Sequence, residues 1–217
     1  MAMFSSVESL INSVVTTIGS IASSIGSALA NAVTRFLKVA GPYLEPIGKI
    51  VGIIANVLAI KKEEEGVDEI GAKAMMSDKK PEDFDSYNEY IEYLRNDIKL
   101  DKERFEKAGK VEKMAQIAVG ATVLTKGIEE KKGFDIPTEV WVAVAKLGLE
   151  DNYKEVNTIL DTFKDGKLED FARYVDGKLG TQKEGEIGDM LVDMYRKLEP
   201  NASSEEIEKK VIEMDRS

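Results

Sequence analysis

An all-α fold is what this sequence predicts, with an N-terminal hydrophobic and amphipathic helical hairpin followed by an acidic C-terminal multi-helix domain. Three observations carry the expectation. Apolar residues recur at alternating steps of four and three from Val7 to Ala32, the period of one helix face. Glycine and proline divide the rest of the chain into segments of helical length. No window shows sustained two-residue alternation with β-branched enrichment, the mark of a half-buried strand.

The first helix is expected over roughly residues 6–39, with Ser5 and Glu8 at capping-box spacing and Gly41-Pro42 as its stop. Its stripe is Val7, Ile11, Val14, Ile18, Ile21 and Ile25, widened by Leu10, Val15, Ala22 and Leu29. From Ser9 to Thr34 there is no charged residue, and Ser, Thr, Asn and Gly fill the polar positions. These side chains are far cheaper to desolvate than Lys or Glu. Gly19 and Gly26 each cost about 1 kcal/mol relative to Ala in a helix interior, so something must pack on this helix. At about 1.5 Å per residue the uncharged run covers roughly 39 Å, enough to cross a bilayer's hydrocarbon, but its many small polar residues argue against a single span.

Pro46 opens a second helix through Ile47, Ile50, Val51, Ile53, Ile54, Val57, Leu58 and Ile60, which ends at the charge run Lys61–Glu65. Its uncharged run, Ile50 to Ile60, is shorter than the roughly 20 residues a bilayer-spanning helix needs. It reads as a buried, interfacial or re-entrant arm. The domain plan is therefore a hairpin over 1–62, a charged linker over 63–82 holding one short helix, and an acidic helical domain over 83–217.

In that last domain Ser86 and Glu89 open a helix carrying Tyr87, Tyr90, Ile91, Leu94, Ile98 and Phe105 and ending near Gly109. A helix over roughly 111–130 follows, and Gly148, Gly166, Gly177, Gly180, Gly185 and Pro200 then punctuate helices over roughly 137–147, 151–164, 168–178, 186–198 and 204–215. Ser203 and Glu206 cap the last of these, and Trp141 reads as core.

Composition narrows the chemistry. With no cysteine and no histidine, disulfides, thiolate nucleophiles, Cys/His zinc sites and histidine bases are excluded. The absence of cysteine leaves the redox compartment undefined. Forty acidic residues against 30 basic, net −10, argue against duplex nucleic acid as a partner. Only Glu8, Arg35, Lys38, Glu45 and Lys49 are charged within residues 1–60, so the acidity belongs to the remainder.

No phosphate loop or dinucleotide fingerprint occurs, and no cofactor or metal is expected. Asp161, Asp165, Gly166 and Leu168 match part of a calcium loop, but Phe163 and Ala172 stand where ligands are needed, so the segment reads as a turn. Paired-carboxylate glycosidase chemistry needs no histidine and is the one enzymatic alternative.

The expected function is non-enzymatic: a membrane-active or self-assembling helical protein of the pore-forming or penetration type. Delivered toxins and virion ejection components are analogues at the level of class only. Val7, Ile11, Val14, Ile18, Ile21, Ile25, Ile47, Ile50, Ile54 and Val57 are the expected contacts, engaging a lipid membrane or identical subunits through residues 6–60. The alternative is a structural subunit or adaptor whose first helix packs on partner helices without lipid, the acidic domain offering a surface to a protein partner. A third packing is intramolecular, with both helices seated on the acidic domain. The expected location is a membrane, a virion or a secretion assembly. No basic segment precedes the apolar stretch as a cleavable signal requires, and Ala2 replaces the glycine needed for myristoylation.

Overall fold

The single helix expected over residues 6–39 is divided into three. In the computed structural model, which describes residues 2–215, α1 covers Ala2–Ser20, α2 Ala22–Ile25 and α3 Ser27–Ala40. α1 starts before Ser5, and the Ser5 side chain proposed as its cap lies outside the described residues. The second break falls at Gly26, whose φ of 87° and ψ of 140° leave the helical region for one that glycine alone enters without strain. An added Cβ there would sit 2.7 Å from Glu82 Oε2. A 3-10 turn over Gly41–Tyr43 then reverses the chain into α4, Leu44–Val57. α4 ends with Ile60 N–H donating to Ala55 O (2.8 Å) around Ala59 at φ 55°, a helix stop usually given to glycine.

α5, Val67–Met76, occupies the middle of the stretch expected to be a linker, and it is a core element. Ile70 and Ala74 are fully buried. α6, Tyr87–Asn96, begins at Ser86 as expected, with Glu89 N–H donating to Ser86 Oγ at 3.1 Å. The helix does not run on to Gly109. It stops at Asp97, and Asp101 starts a new short helix, α7, Lys102–Glu106, by accepting from Arg104 N–H at 3.1 Å.

α8, Lys110–Lys132, ends at Gly133 in the left-handed conformation. From Ala118 to Thr125 every residue is buried, so the helix has no solvent face in its middle, as expected of one surrounded by others. α1, α3, α4, α5 and α6 all pack against it. Small residues make this possible. A Cβ on Gly71 of α5 would lie 1.8 Å from Gln116 O of α8, and one on Gly120 would lie 1.9 Å from Val67 O. The two backbones are in contact. Glu130, near the end of α8, accepts from the N–H groups of Tyr87 and Asn88 at 2.6 and 3.0 Å and so caps α6 from across the unit.

These contacts place the boundary between compact units after Asp135, giving units over 1–135 and 136–217. The structure thus departs from the plan of hairpin 1–62, linker 63–82 and domain 83–217. The physical reason is α5: its charged residues are half-buried while Ile70, Gly71 and Ala74 are buried as it packs on α8, which joins the N-terminal helices to α6 and α8 in one core.

The second unit contains α9 (Thr138–Lys146), α10 (Tyr153–Phe163), α11 (Leu168–Val175), α12 (Thr181–Leu198) and α13 (Ser204–Met214). No strand occurs among the described residues, and the fold is all-α. α12 begins earlier than its apolar pattern suggests. Gly148, Gly166 and Gly177 take positive φ at the turns the sequence marks. Trp141, Phe163 and Phe171 are fully buried. Glu155, 2% exposed, is held by the Tyr195 hydroxyl, which donates to its Oε1, by Asn152 Nδ2 at 2.6 Å and by Lys210 Nζ at 3.5 Å. This cluster ties α10 to α12 and α13 and leaves neither carboxylate oxygen unpartnered, the condition under which a buried charge is tolerated.

Gly71→Ala and Gly120→Ala, each driving a methyl into backbone, are expected to cost more than about 3 kcal/mol. Gly19→Ala, with nothing within 4 Å, should instead gain about 0.5–1 kcal/mol through helix propensity. Urea unfolding followed by circular dichroism separates them. A second expectation concerns pH. Burial, then the bond to Glu155, push the Tyr195 hydroxyl above its ordinary value of 10.0, and burial raises Tyr174. The unfolded chain ionises these groups near that ordinary value while the folded unit does not, so stability is intact below it and falls as pH rises beyond it. Urea midpoints read from Trp141 fluorescence should drop on the alkaline side, and Tyr195→Phe should make the drop shallower.

Candidate functional site

The apolar stripe of the N-terminal helices points into the first unit. Val14, Ile18, Ile25 and Ile47 are fully buried, and Ile50 and Ile54 are 2% and 1% exposed. These side chains, expected to meet lipid or another subunit, are covered by the chain's own helices, because α8 presents small residues on every side and α1, α3 and α4 all seat on it. Val7, Ile11 and Ile21 are half-buried, and Val57 is 51% exposed. Among the described residues no helix is long and apolar enough to cross a membrane.

What the N-terminal helices offer to solvent is their other face. Ser9, Asn12, Ser13, Thr16, Gly19, Ser20, Ser23, Ser24, Ser27 and Asn31 are exposed, and no ion interrupts them. On α1, three of the exposed hydroxyls bond back to their own helix. Ser13 Oγ donates to Ser9 O at 3.0 Å, Thr16 Oγ1 to Asn12 O at 2.9 Å and Ser20 Oγ to Thr17 O at 2.7 Å, while the half-buried Thr17 donates to Ser13 O at 3.0 Å. Donors bonded back to the helix's own carbonyls have no need of water, so covering this face costs less than covering free hydroxyls. A shallow hollow of about 440 Å³ lies along Glu8, Ser9, Asn12, Ser13 and Thr16.

A deeper groove of about 370 Å³ opens in the same unit. Ile21, between α1 and α2, forms one side, Met75 and Met76 of α5 another, and Leu100 with Phe105 of the α7 segment a third. Arg104 and Glu112, 3.8 Å apart, and Asp101 stand along it. Gln116 of α8 also lines it, 4% exposed, and among the described residues its Oε1 accepts no hydrogen bond. An acceptor desolvated without a partner costs about 1–3 kcal/mol. The sequence signals for this groove were the adjacent Met75 and Met76 and the uncharged polar Gln116 within an apolar run, and neither shows in helical periodicity alone.

Nearby charged groups are committed to the scaffold. Arg95 Nε meets Glu65 at 2.7 Å and its Nη1 donates to Ile60 O at 3.1 Å, which fastens the turn after α4 to α6. Burial lowers the Lys61 ammonium below its ordinary range against the opposing pull of Glu65, Glu63 and Glu64, and its Nζ donates to Lys62 O at 2.8 Å. Among the described residues no group of carboxylates is placed to hold a metal ion. No protein-family model, no curated protein and no solved structure matches this chain.

The two faces of α1 should respond differently to charge. Ile18→Asp buries a carboxylate without a partner and is expected to cost more than about 3 kcal/mol, enough to unfold the first unit. Ser13→Asp on the solvent face should change stability by no more than about 0.5 kcal/mol. Thermal and urea melts of the two variants check this.

Proposed function

We propose that this protein is a non-enzymatic, self-assembling helical subunit, with copies meeting through the part of the exposed face of α1–α3 that carries no ion, between Glu8 and Arg35. The carrying observation is that face: small side chains, no charge from Ser9 to Thr34, and, on α1, the hydroxyls of Ser13, Thr16 and Ser20 already bonded to the helix's own carbonyls. Small residues let helix backbones approach closely, and self-satisfied hydroxyls can be covered without stranding a donor. A solvent-facing helix ordinarily carries charged residues of both signs, as α6, α12 and α13 do here. The apolar stripe supports the assembly indirectly, by fixing α1 and α3 on α8 so that the polar face is presented as a rigid surface.

Lipid contact is the second reading. Its supporting observation is that Val7, Ile11 and Ile21 are incompletely covered and Val57 is exposed, an apolar fringe at which an amphipathic helix could engage an interface.

The test is light scattering over a wide range of protein concentration, with and without anionic vesicles. Mass rising with concentration in the absence of lipid, and restored to monomer by Ser13→Arg with Ser20→Arg at unchanged stability, is the expected result. A chain monomeric throughout, or an oligomer indifferent to both arginines, overturns the assembly reading. Vesicle co-sedimentation lost on Val7→Asp with Ile11→Asp would favour the second.

A further inference from the structure

We propose that Asp165 is a site of spontaneous backbone modification, converting to a β-linked isoaspartyl residue through a cyclic imide with Gly166, while the matching pair Asp176 and Gly177 is protected. This does not rest on the assembly reading. The two places share the tetrad Asp-Gly-Lys-Leu, at 165–168 and 176–179, so their folded surroundings decide between them. In the first step the Gly166 nitrogen bonds to Asp165 Cγ, its proton goes to solvent, and a carboxyl oxygen leaves as water. Water then adds at the other imide carbonyl and cleaves its bond to the Gly166 nitrogen. The chain now runs through Asp165 Cβ and Cγ, the α-carboxylate is free, and no oxidant or cofactor has been used.

Glycine has no side chain to shield its nitrogen, which is why the reaction belongs to Asp-Gly steps. Asp165 and Gly166 are both exposed, in the turn between α10 and α11, where local opening is easiest. Among the described residues no hydrogen bond or ion pair holds the Asp165 carboxyl. Asp176 differs. It is half-buried, its Oδ1 accepts from Lys146 Nζ at 2.7 Å, and its Oδ2 accepts from Lys178 Nζ at 2.5 Å. Burial opposes the charge but is outweighed, and the two ammonium bonds hold that carboxyl below its ordinary value of 3.8. A carboxylate gives up oxygen as water only after taking a proton, and both oxygens must leave their lysines before Cγ can turn to the Gly177 nitrogen. Each glycine N–H has one backbone bond, to Lys164 O and to Tyr174 O, both 2.9 Å, so that brake is common to the two. The β-linkage adds one atom to the main chain at a turn that closes with Lys167 N–H on Phe163 O at 3.0 Å. It also presents a new α-carboxylate to an isoaspartyl carboxyl methyltransferase.

The test is ageing of the full chain in mildly acidic buffer, folded and in urea, then digestion with an aspartate-specific endoprotease, which cuts before Asp and not before its isomer. Methyl labelling by an isoaspartyl carboxyl methyltransferase counts the product independently, and peptide mass should be unchanged because the water lost is regained. In the folded chain Asp165 should isomerise at least about fivefold faster than Asp176, since two ion pairs must open first. In urea the two should age alike. Lys146→Gln with Lys178→Gln should raise the Asp176 rate towards that of Asp165. Should this variant not fold, the comparison of folded with urea-unfolded wild type decides alone. Equal rates in the folded chain, no isomer at Asp165, or a preference that persists in urea overturns the proposal. So does a folded double-lysine variant in which Asp176 stays protected.

Discussion

Backbone contact between Gly71 and Gly120 sets the dimensions of the first unit. Helices normally pack about 8–10 Å apart because side chains stand between them. Here α5 and α8 touch main chain to main chain, with no room for a single added carbon at either glycine. The same economy recurs nearby: a Cβ on Gly48 of α4 would lie 2.9 Å from Ile117 Cγ2, and one on Gly52 would lie 2.7 Å from Val67 Cγ2. A central helix this slender can be surrounded by α1, α3, α4, α5 and α6 at once. The apolar stripe of the N-terminal helices then has a surface to meet within its own chain. The polar face of α1 is left outside for the same reason.

Helix identity was legible where the signal is local. Ser86 and Ser203 cap α6 and α13 as their spacing to Glu89 and Glu206 implies, and Gly166 and Gly177 turn the chain where expected. The beginning of α12 was not legible, because Thr181–Gly185 carries no apolar residue to set a period. Nor was the break at Gly26. Two glycines in one helical stretch look alike in sequence, yet Gly19 stays helical with open space around it while Gly26 takes positive φ against Glu82. That distinction depends on a residue far along the chain.

The larger departure has the same origin. α5 reads as linker because the stretch around it, from Glu63 to Pro81, is charged and small, with Gly66, Gly71 and the Lys79-Lys80-Pro81 break, and its burial rests on one glycine meeting another on a distant helix. Periodicity tells which face of a helix is apolar and is silent on what covers it. Val14, Ile18 and Ile25 were correctly grouped as one face, but their neighbour could not be read from spacing. Gln116, Met75 and Met76 come from helices separated by α6 and α7 in sequence, so their groove exists only in the packed unit.

The uncharged stretch from Ser9 to Thr34 on the outer face of α1–α3 bears on the electrostatics of any assembly built on it. The chain carries a net charge of −10, and copies of one protein repel each other wherever acidic surfaces approach within about a Debye length, roughly 8–10 Å near physiological salt. A face free of ions is where two copies can meet with the least such cost and without desolvating a charge. The hydroxyls of Ser13, Thr16 and Ser20, bonded to their own helix, ask nothing specific of the opposing surface. Such a face gives close approach more than directional recognition, so register in the proposed assembly would have to come from shape: the break at Ile21, the turn at Gly26, and the hollow along Glu8, Asn12 and Thr16. The breaks that spoil a continuous helix are then the features able to make one alignment of two copies better than its neighbours.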